Sequence, residues 1–212
     1  MLKFRTLFAI TGLLLAFVAG SASAQLKEGR DYDLISSPQP TEKGKIEVIE
    51  FFSYLCPHCD RFDPTLAKWA KTLAKDVILH KIPVVFRPQW EATAKLYYTL
   101  EAMGELDKLH SAAFSAVHRE NIDMTNDKSV ADWAVKKGLD RKKFTDTFNS
   151  FAVQSKAAGS KQKQGAYGIQ AVPMLVVAGK YRTPDDFHGG FDELLKVVDN
   201  LIVKVRAEQF KK

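Results

Sequence analysis

Residues 46–59 read Ile46-Glu47-Val48-Ile49-Glu50-Phe51-Phe52-Ser53-Tyr54-Leu55-Cys56-Pro57-His58-Cys59. The first seven are rich in β-branched and aromatic side chains, the composition of a central strand. Ser53-Tyr54-Leu55 makes a short turn, and Phe62, Leu66, Trp69 and Leu73 then recur on one face of a helix. Pro64 lies within that helix and, lacking a backbone N–H, is expected to kink it. Cys56 therefore stands at a strand-to-helix junction. Unpaired backbone N–H groups and the helix dipole there favour an anion. A thiolate is the anion that disulfide exchange needs.

The chain holds two cysteines in all, separated by Pro57 and His58. A bridge between them closes so short a loop that it constrains the unfolded chain by only about 2 kcal/mol. That is a poor staple, but a second thiol this close resolves a mixed disulfide quickly. The order along the chain makes Cys56 the attackable sulfur and Cys59 the resolving one. A zinc site would need two further ligands, and the sequence has no second Cys pair and no closely spaced His pair.

The run from Glu50 to Cys59 resembles the active-site segment of the DsbA family of periplasmic disulfide oxidases, and Gly168-Ile169-Gln170-Ala171-Val172-Pro173-Met174 resembles that family's cis-proline loop. The likeness extends over essentially the whole chain after its leader. It implies an α/β architecture, a thioredoxin fold with an inserted α-helical domain. It also implies that Glu50 is a buried acid beneath the dithiol acting in proton transfer. By the same likeness, the bond before Pro173 is cis and Val172 presents its backbone to an incoming polypeptide. The family often pairs the acid with a lysine on the neighbouring strand. Lys81 is the nearest candidate, with the alignment there unsettled.

Working outward, residues 32–35 read as a first strand and residues 77–82 as a second parallel one. Between residues 87 and 155 the pattern turns helical. Leu96, Tyr97, Leu100 and Met103 share a face, as do Leu106, Leu109, Ala113 and Val117. Phe144, Phe148 and Phe151 read as a further apolar stripe. Gly104 and Gly138 are natural helix stops, and Asp127 and Asp140 suit helix starts. Strand pattern returns at residues 174–177, Gly179-Lys180 makes a turn towards a strand near Tyr181, and residues 192–205 form a closing helix. The expected division is a signal peptide at 1–24, a discontinuous thioredoxin-like domain at 25–86 and 156–212, and the inserted helical domain at 87–155.

The leader reading rests on Lys3 and Arg5, an apolar run over residues 7–18, and the small residues Ala22-Ser23-Ala24. The run falls short of the roughly 20 apolar residues a membrane span needs. Export to the periplasm follows as the expected location. The chain carries 31 Lys+Arg against 25 Asp+Glu, spread out and never gathered into a stripe, which argues against nucleic-acid binding.

The candidate site is thus Cys56, Cys59, His58, Pro57 and Glu50 for catalysis, with Val172 and Pro173 for substrate. A charge or dipole on His58, between two reactive cysteines, would stabilise the Cys56 thiolate. His80, His110, His118 and His188 show no partner in the sequence. The expected activity is a dithiol–disulfide oxidase, acting as a monomer on unfolded exported polypeptides with free thiols. It would use no cofactor beyond the Cys56–Cys59 disulfide and no metal, and a DsbB-like inner-membrane protein would reoxidise it. The Pro57-His58 pair, unlike the Gly-Pro of reducing thioredoxins, supports the oxidising direction. The rival readings are a disulfide isomerase or reductase on the same fold, or a chaperone-like binder of unfolded chains.

Overall fold

A computed structural model describes residues 26–209; the expected signal peptide at 1–24 lies outside them. Five strands form one sheet: β1 (Asp33–Leu34), β2 (Ile46–Phe52), β3 (Val77–Pro83), β4 (Met174–Val177) and β5 (Tyr181–Arg182), in the order β1-β5-β4-β2-β3. The strand that the sequence marks most strongly, β2, lies near the centre. It runs parallel to β3 and antiparallel to β4. Central placement is why its apolar side chains are buried on both faces.

Alternation along β2 divides its side chains between the two faces. Ile49 and Phe51 pack with Tyr167, Ile169, Met174 and Val176 on one face. Val48, Glu50 and Phe52 point the other way, where α1 (Pro57–Ala70) crosses the sheet. There Val48 joins Phe62, Leu66, Leu175 and Val177 beneath α7 (Phe191–Gln209). α1 continues through Pro64 without ending.

Between β3 and β4 the chain forms α2 (Glu91–Met103), α3 (Leu106–His118), α4 (Asp127–Lys136), α5 (Arg141–Phe148) and α6 (Phe151–Ala166). Phe52, Tyr54, Leu96, Leu100, Phe114, Trp133 and Phe144 make one core that also takes in both cysteines. The helical segment thus packs directly against the strand-to-helix junction. Gly104 ends α2 in the left-handed conformation, with φ 71°.

Two expectations are corrected, at Phe151 and at the first strand. Phe151 does not extend the Phe144–Phe148 stripe; it is 86% exposed. The chain turns at Asn149 and restarts at Ser150, whose side chain caps α6 through the Val153 N–H, so helical spacing is not continuous across the gap. The division read at 155/156 lies within α6, which is uninterrupted to Ala166 and is followed by Gly168 with φ 64°. The first strand is shorter than expected, pairing only Asp33 and Leu34 with β5.

Candidate active site

Cys56 is the N-cap of α1, with Pro57 as the first helical residue. Proline suits that position because its missing N–H would have no partner there. The Ser53 carbonyl accepts the Cys56 N–H at 3.0 Å and fixes the turn. The Cys59 backbone N–H donates to Cys56 Sγ at 3.3 Å. Both cysteines are free thiols; Cys59 is fully buried and Cys56 retains 7% exposure.

The two sulfurs sit in opposite environments. Cys56 is lowered to about 7, chiefly by a hydrogen bond from the Cys59 side chain; burial opposes this, and the backbone N–H groups of Cys59 and His58 and the charge of Arg61 assist. Cys59 is pushed well above the ordinary thiol range by burial first, then by Cys56 and by the Glu50 carboxylate. One thiol is set to ionise near neutrality while its neighbour holds its proton.

His58 is exposed, and its Nδ1 accepts an N–H from Arg61 at 2.9 Å. An Arg guanidinium can only donate, so Nδ1 is the acceptor in this contact. Beside the larger contribution of Cys59, the His58 backbone N–H and the charge of Arg61, a residue the sequence reasoning passed over, also favour the Cys56 thiolate. Val172 and Pro173 are half-buried, joined by a cis bond, and the Val172 carbonyl accepts from Cys56 Sγ at 3.4 Å.

Glu50 is buried with 1% exposure and does not reach solvent. Its register partner on β3 is Lys81, whose Nζ donates to Glu50 Oε2 at 2.5 Å. This settles the pairing that the alignment left open. Lys81 also reaches Asp63 Oδ1 on α1 at 3.2 Å, and Ser111 Oγ donates to Asp63 Oδ2 at 2.9 Å. Burial raises Asp63, but His110, Lys81 and Ser111 together hold it well below the usual carboxylate range. Burial lowers Lys81, and the two carboxylates more than reverse that.

Two histidines without a partner in the sequence have partners here. His110 Nδ1 is 2.8 Å from the Tyr54 hydroxyl, and its Nε2 is 3.1 Å from Asp63 Oδ1. That nitrogen is near the carboxylate in distance but not aligned for a hydrogen bond. His118 Nε2 bonds the Tyr54 carbonyl at 2.9 Å. Asp63, Lys81, His110 and Ser111 lie on three elements far apart in sequence. Of these, only Lys81 had a signal in the sequence, as the nearest candidate to pair with Glu50; Asp63, His110 and Ser111 had none.

Among the described residues no cluster of His, Cys, Asp and Glu could hold a metal ion, and no helix is long and apolar enough to cross a membrane. The arrangement can form and break disulfides: a reachable sulfur that ionises easily, a buried partner thiol, and a carboxylate–ammonium pair close enough to act on that partner.

Comparison with known proteins gives the same reading. The DSBA-like thioredoxin domain matches residues 47–195. The thiol:disulfide interchange protein DsbA of Pseudomonas aeruginosa is 38% identical over 206 residues, covering 96% of this chain and 98% of that protein. Its Burkholderia cepacia counterpart is 36% identical, covering 92% and 93%. A crystal structure of Pseudomonas aeruginosa DsbA superposes with a TM-score of 0.81 at 41% identity, over 87% of this chain and 96% of that one. The oxidoreductase NmDsbA1 from N. meningitidis gives a TM-score of 0.79 at 30% identity, over 88% and 97%. The chain belongs to the DSBA-like thioredoxin domain family and is a thiol–disulfide oxidoreductase.

Proposed function

We propose that this chain is a periplasmic disulfide oxidase that donates its Cys56–Cys59 disulfide to newly exported polypeptides. The observation that carries the reading is the asymmetry of the two thiols, Cys56 lowered to about 7 and Cys59 raised. A stabilised Cys56 thiolate is a good leaving group and favours the reduced enzyme, which makes the oxidised enzyme an oxidant. A substrate thiolate attacks Cys56 Sγ. The Cys56–Cys59 bond breaks, its electron pair passes to Cys59, and a proton is taken up there. A second substrate thiolate then attacks the substrate sulfur of the mixed disulfide, closes the substrate's own disulfide and expels Cys56 as thiolate.

Each site residue has a part in this scheme. Pro57 starts the helix that caps the thiolate, and His58 supplies a backbone N–H to it. Glu50, partnered by Lys81, exchanges the proton of Cys59. The backbone of Val172, beside Cys56 Sγ, and Pro173 give an extended substrate a main-chain edge, which accepts many sequences because main-chain pairing demands none. The redox-active disulfide is the only cofactor. An inner-membrane partner of the DsbB type would restore it, and the leader at 1–24 would deliver the chain to the periplasm.

The test uses the oxidised protein and a reduced peptide carrying two cysteines. Stoichiometric oxidation of the peptide is expected, with complete loss in Cys56→Ser and accumulation of a mixed disulfide at Cys56 in Cys59→Ser. A Cys56→Ser protein that still protects unfolded chains, beside a wild type that does not oxidise the peptide, would make the chain a chaperone-like binder instead.

A further inference from the structure

The buried ion pair beneath Cys59 has a third member that the scheme above leaves unused. Lys81 Nζ stands between two buried carboxylates, 2.5 Å from Glu50 Oε2 and 3.2 Å from Asp63 Oδ1. One ammonium thus divides its charge between two anions. The second oxygen of Glu50, Oε1, is buried without a partner. Asp63 is better supplied, with Ser111 on one oxygen and the His110 ring beside the other. The charge on that ring therefore bears on how Lys81 is shared.

The hydrogen bonds around His110 define its neutral form. Tyr54 is fully buried and pushed far above the ordinary phenol range, chiefly by burial, so its hydroxyl keeps its proton and can donate to His110 Nδ1, and the Asp63 carboxylate 3.1 Å from Nε2 selects that arrangement over the reverse. The neutral ring then carries its proton on Nε2, facing Asp63. A groove of about 420 Å³ opens onto this point and gives water access to Asp63, Lys81, His110 and Ser111. The other charged groups on that groove are exposed: Glu101 from α2, Asp107 from α3 and His80 from β3. The Tyr97 phenol from α2 lies with its ring 6.0 Å from that of His110, and the Phe52 ring of β2 packs at 5.3 Å. Asp63 is thus the charged group nearest to the imidazole.

We propose that His110 is a positioning residue for the Cys59 half of the reaction, its charge deciding how Lys81 is shared between Asp63 and Glu50. The proposal rests on the reading of Glu50 as the group that takes the proton of Cys59. When His110 is charged, the imidazolium compensates Asp63 and Lys81 is given over to Glu50. A carboxylate with a whole ammonium to itself is a weaker base. When His110 is neutral, Lys81 divides its charge, and Glu50 is the stronger base. Acid that charges His110 therefore lowers the reactivity of Cys59 beyond what its own protonation does.

The step to measure is the release of glutathione from a Cys56–glutathione mixed disulfide, in which Cys56 itself cannot titrate. Cys59 loses its proton to Glu50 and attacks Cys56 Sγ. The Cys56–Cys59 bond forms, the bond to glutathione breaks, and glutathione leaves as a thiolate that takes a proton from water. Cys59 is oxidised as glutathione is reduced, and Cys56 stays at the disulfide level throughout.

In the wild type the logarithm of this rate should fall with acid more steeply than one decade per pH unit. His110→Gln keeps an amide for Tyr54 and Asp63 but cannot become charged, and should hold a slope of one. It should release glutathione about tenfold faster than wild type at pH 5, the two rates converging towards pH 8. Asp63→Asn leaves Lys81 wholly with Glu50 and should do the reverse, slowing release about tenfold at pH 8 with no extra acid dependence. A merely structural defect would not move the two variants in opposite directions at opposite ends of the profile. An unchanged steep limb in His110→Gln, or slowing at every pH in both variants, overturns the proposal. Glu50→Gln separates the two levels. If it leaves the rate and profile of the wild type intact, the reading of Glu50 fails and takes this one with it; if it slows release while His110→Gln keeps the steep limb, only the role of His110 fails.

Discussion

The two sides of α1 are built on different physics. Towards α7, Phe62, Leu66 and Trp69 enter an aliphatic core with Val48, Leu175, Leu195 and Val198. Its polar exception is at the rim, where Trp69 Nε1 donates to Asp199 at 2.9 Å. Towards α3 and β3 the same helix offers Asp63 to Lys81, His110 and Ser111, all within 3.2 Å. The dry side holds the helix on the sheet in a core that does not include the cysteines. The charged side passes beneath Cys59 and bears on its proton. A single helix thus separates what stabilises the fold from what sets the chemistry, and substitutions on the two sides should have separable effects.

The sharpest way to break that division is Lys81→Met. It strands two buried carboxylates, and losing one partner of a buried ion pair costs about 4 kcal/mol. Denaturant midpoints should show this loss together with altered redox behaviour of Cys59. A loss below about 1 kcal/mol would mean that Ser111, His110 and water balance the carboxylates without the ammonium. On the other side, Leu66→Ala empties a fully buried site and should cost about 3 kcal/mol. There the thiolate absorbance of Cys56 should still titrate at about 7. A shifted titration in this variant would show that the dry side tunes the sulfur after all.

The smallest effect concerns pH. Cys56 is lowered on folding to about 7, so its thiolate contributes stability above the unfolded thiol value and loses it as pH falls through the folded one. Between pH 6 and 8 the reduced form should gain about 1 kcal/mol relative to the oxidised form, which has no thiolate to stabilise. Above that range Cys59 opposes the trend, because its raised value makes the folded state keep a proton that the unfolded state releases. Paired denaturant curves of both redox forms at the two pH values decide the matter, and a difference that stays flat would show that the folded protein does not favour the thiolate.

Residues 46–59 made the strand, the turn and the helix start legible because each depends on neighbours within a few positions. The cap at Cys56, the proline at the first helical position and the apolar spacing of Phe62, Leu66 and Trp69 are all local. The resemblance carried by residues 168–174 added the cis bond before Pro173. Phe151 was misread because helical spacing was carried across Asn149 and Ser150, where the chain turns and a new cap begins.

What the sequence determined by itself, then, was the dithiol, its place at a helix start and the face of β2 that Glu50 shares with Val48 and Phe52, since these follow from residue type and short-range geometry. Only the tertiary structure decided which charges meet beneath Cys59. Asp63, Lys81 and His110 belong to a helix, a strand and a second helix, and their encounter depends on the β2–β3 register and on how the inserted helices pack against α1. Charges act through distance and burial, and neither is set by spacing along the chain.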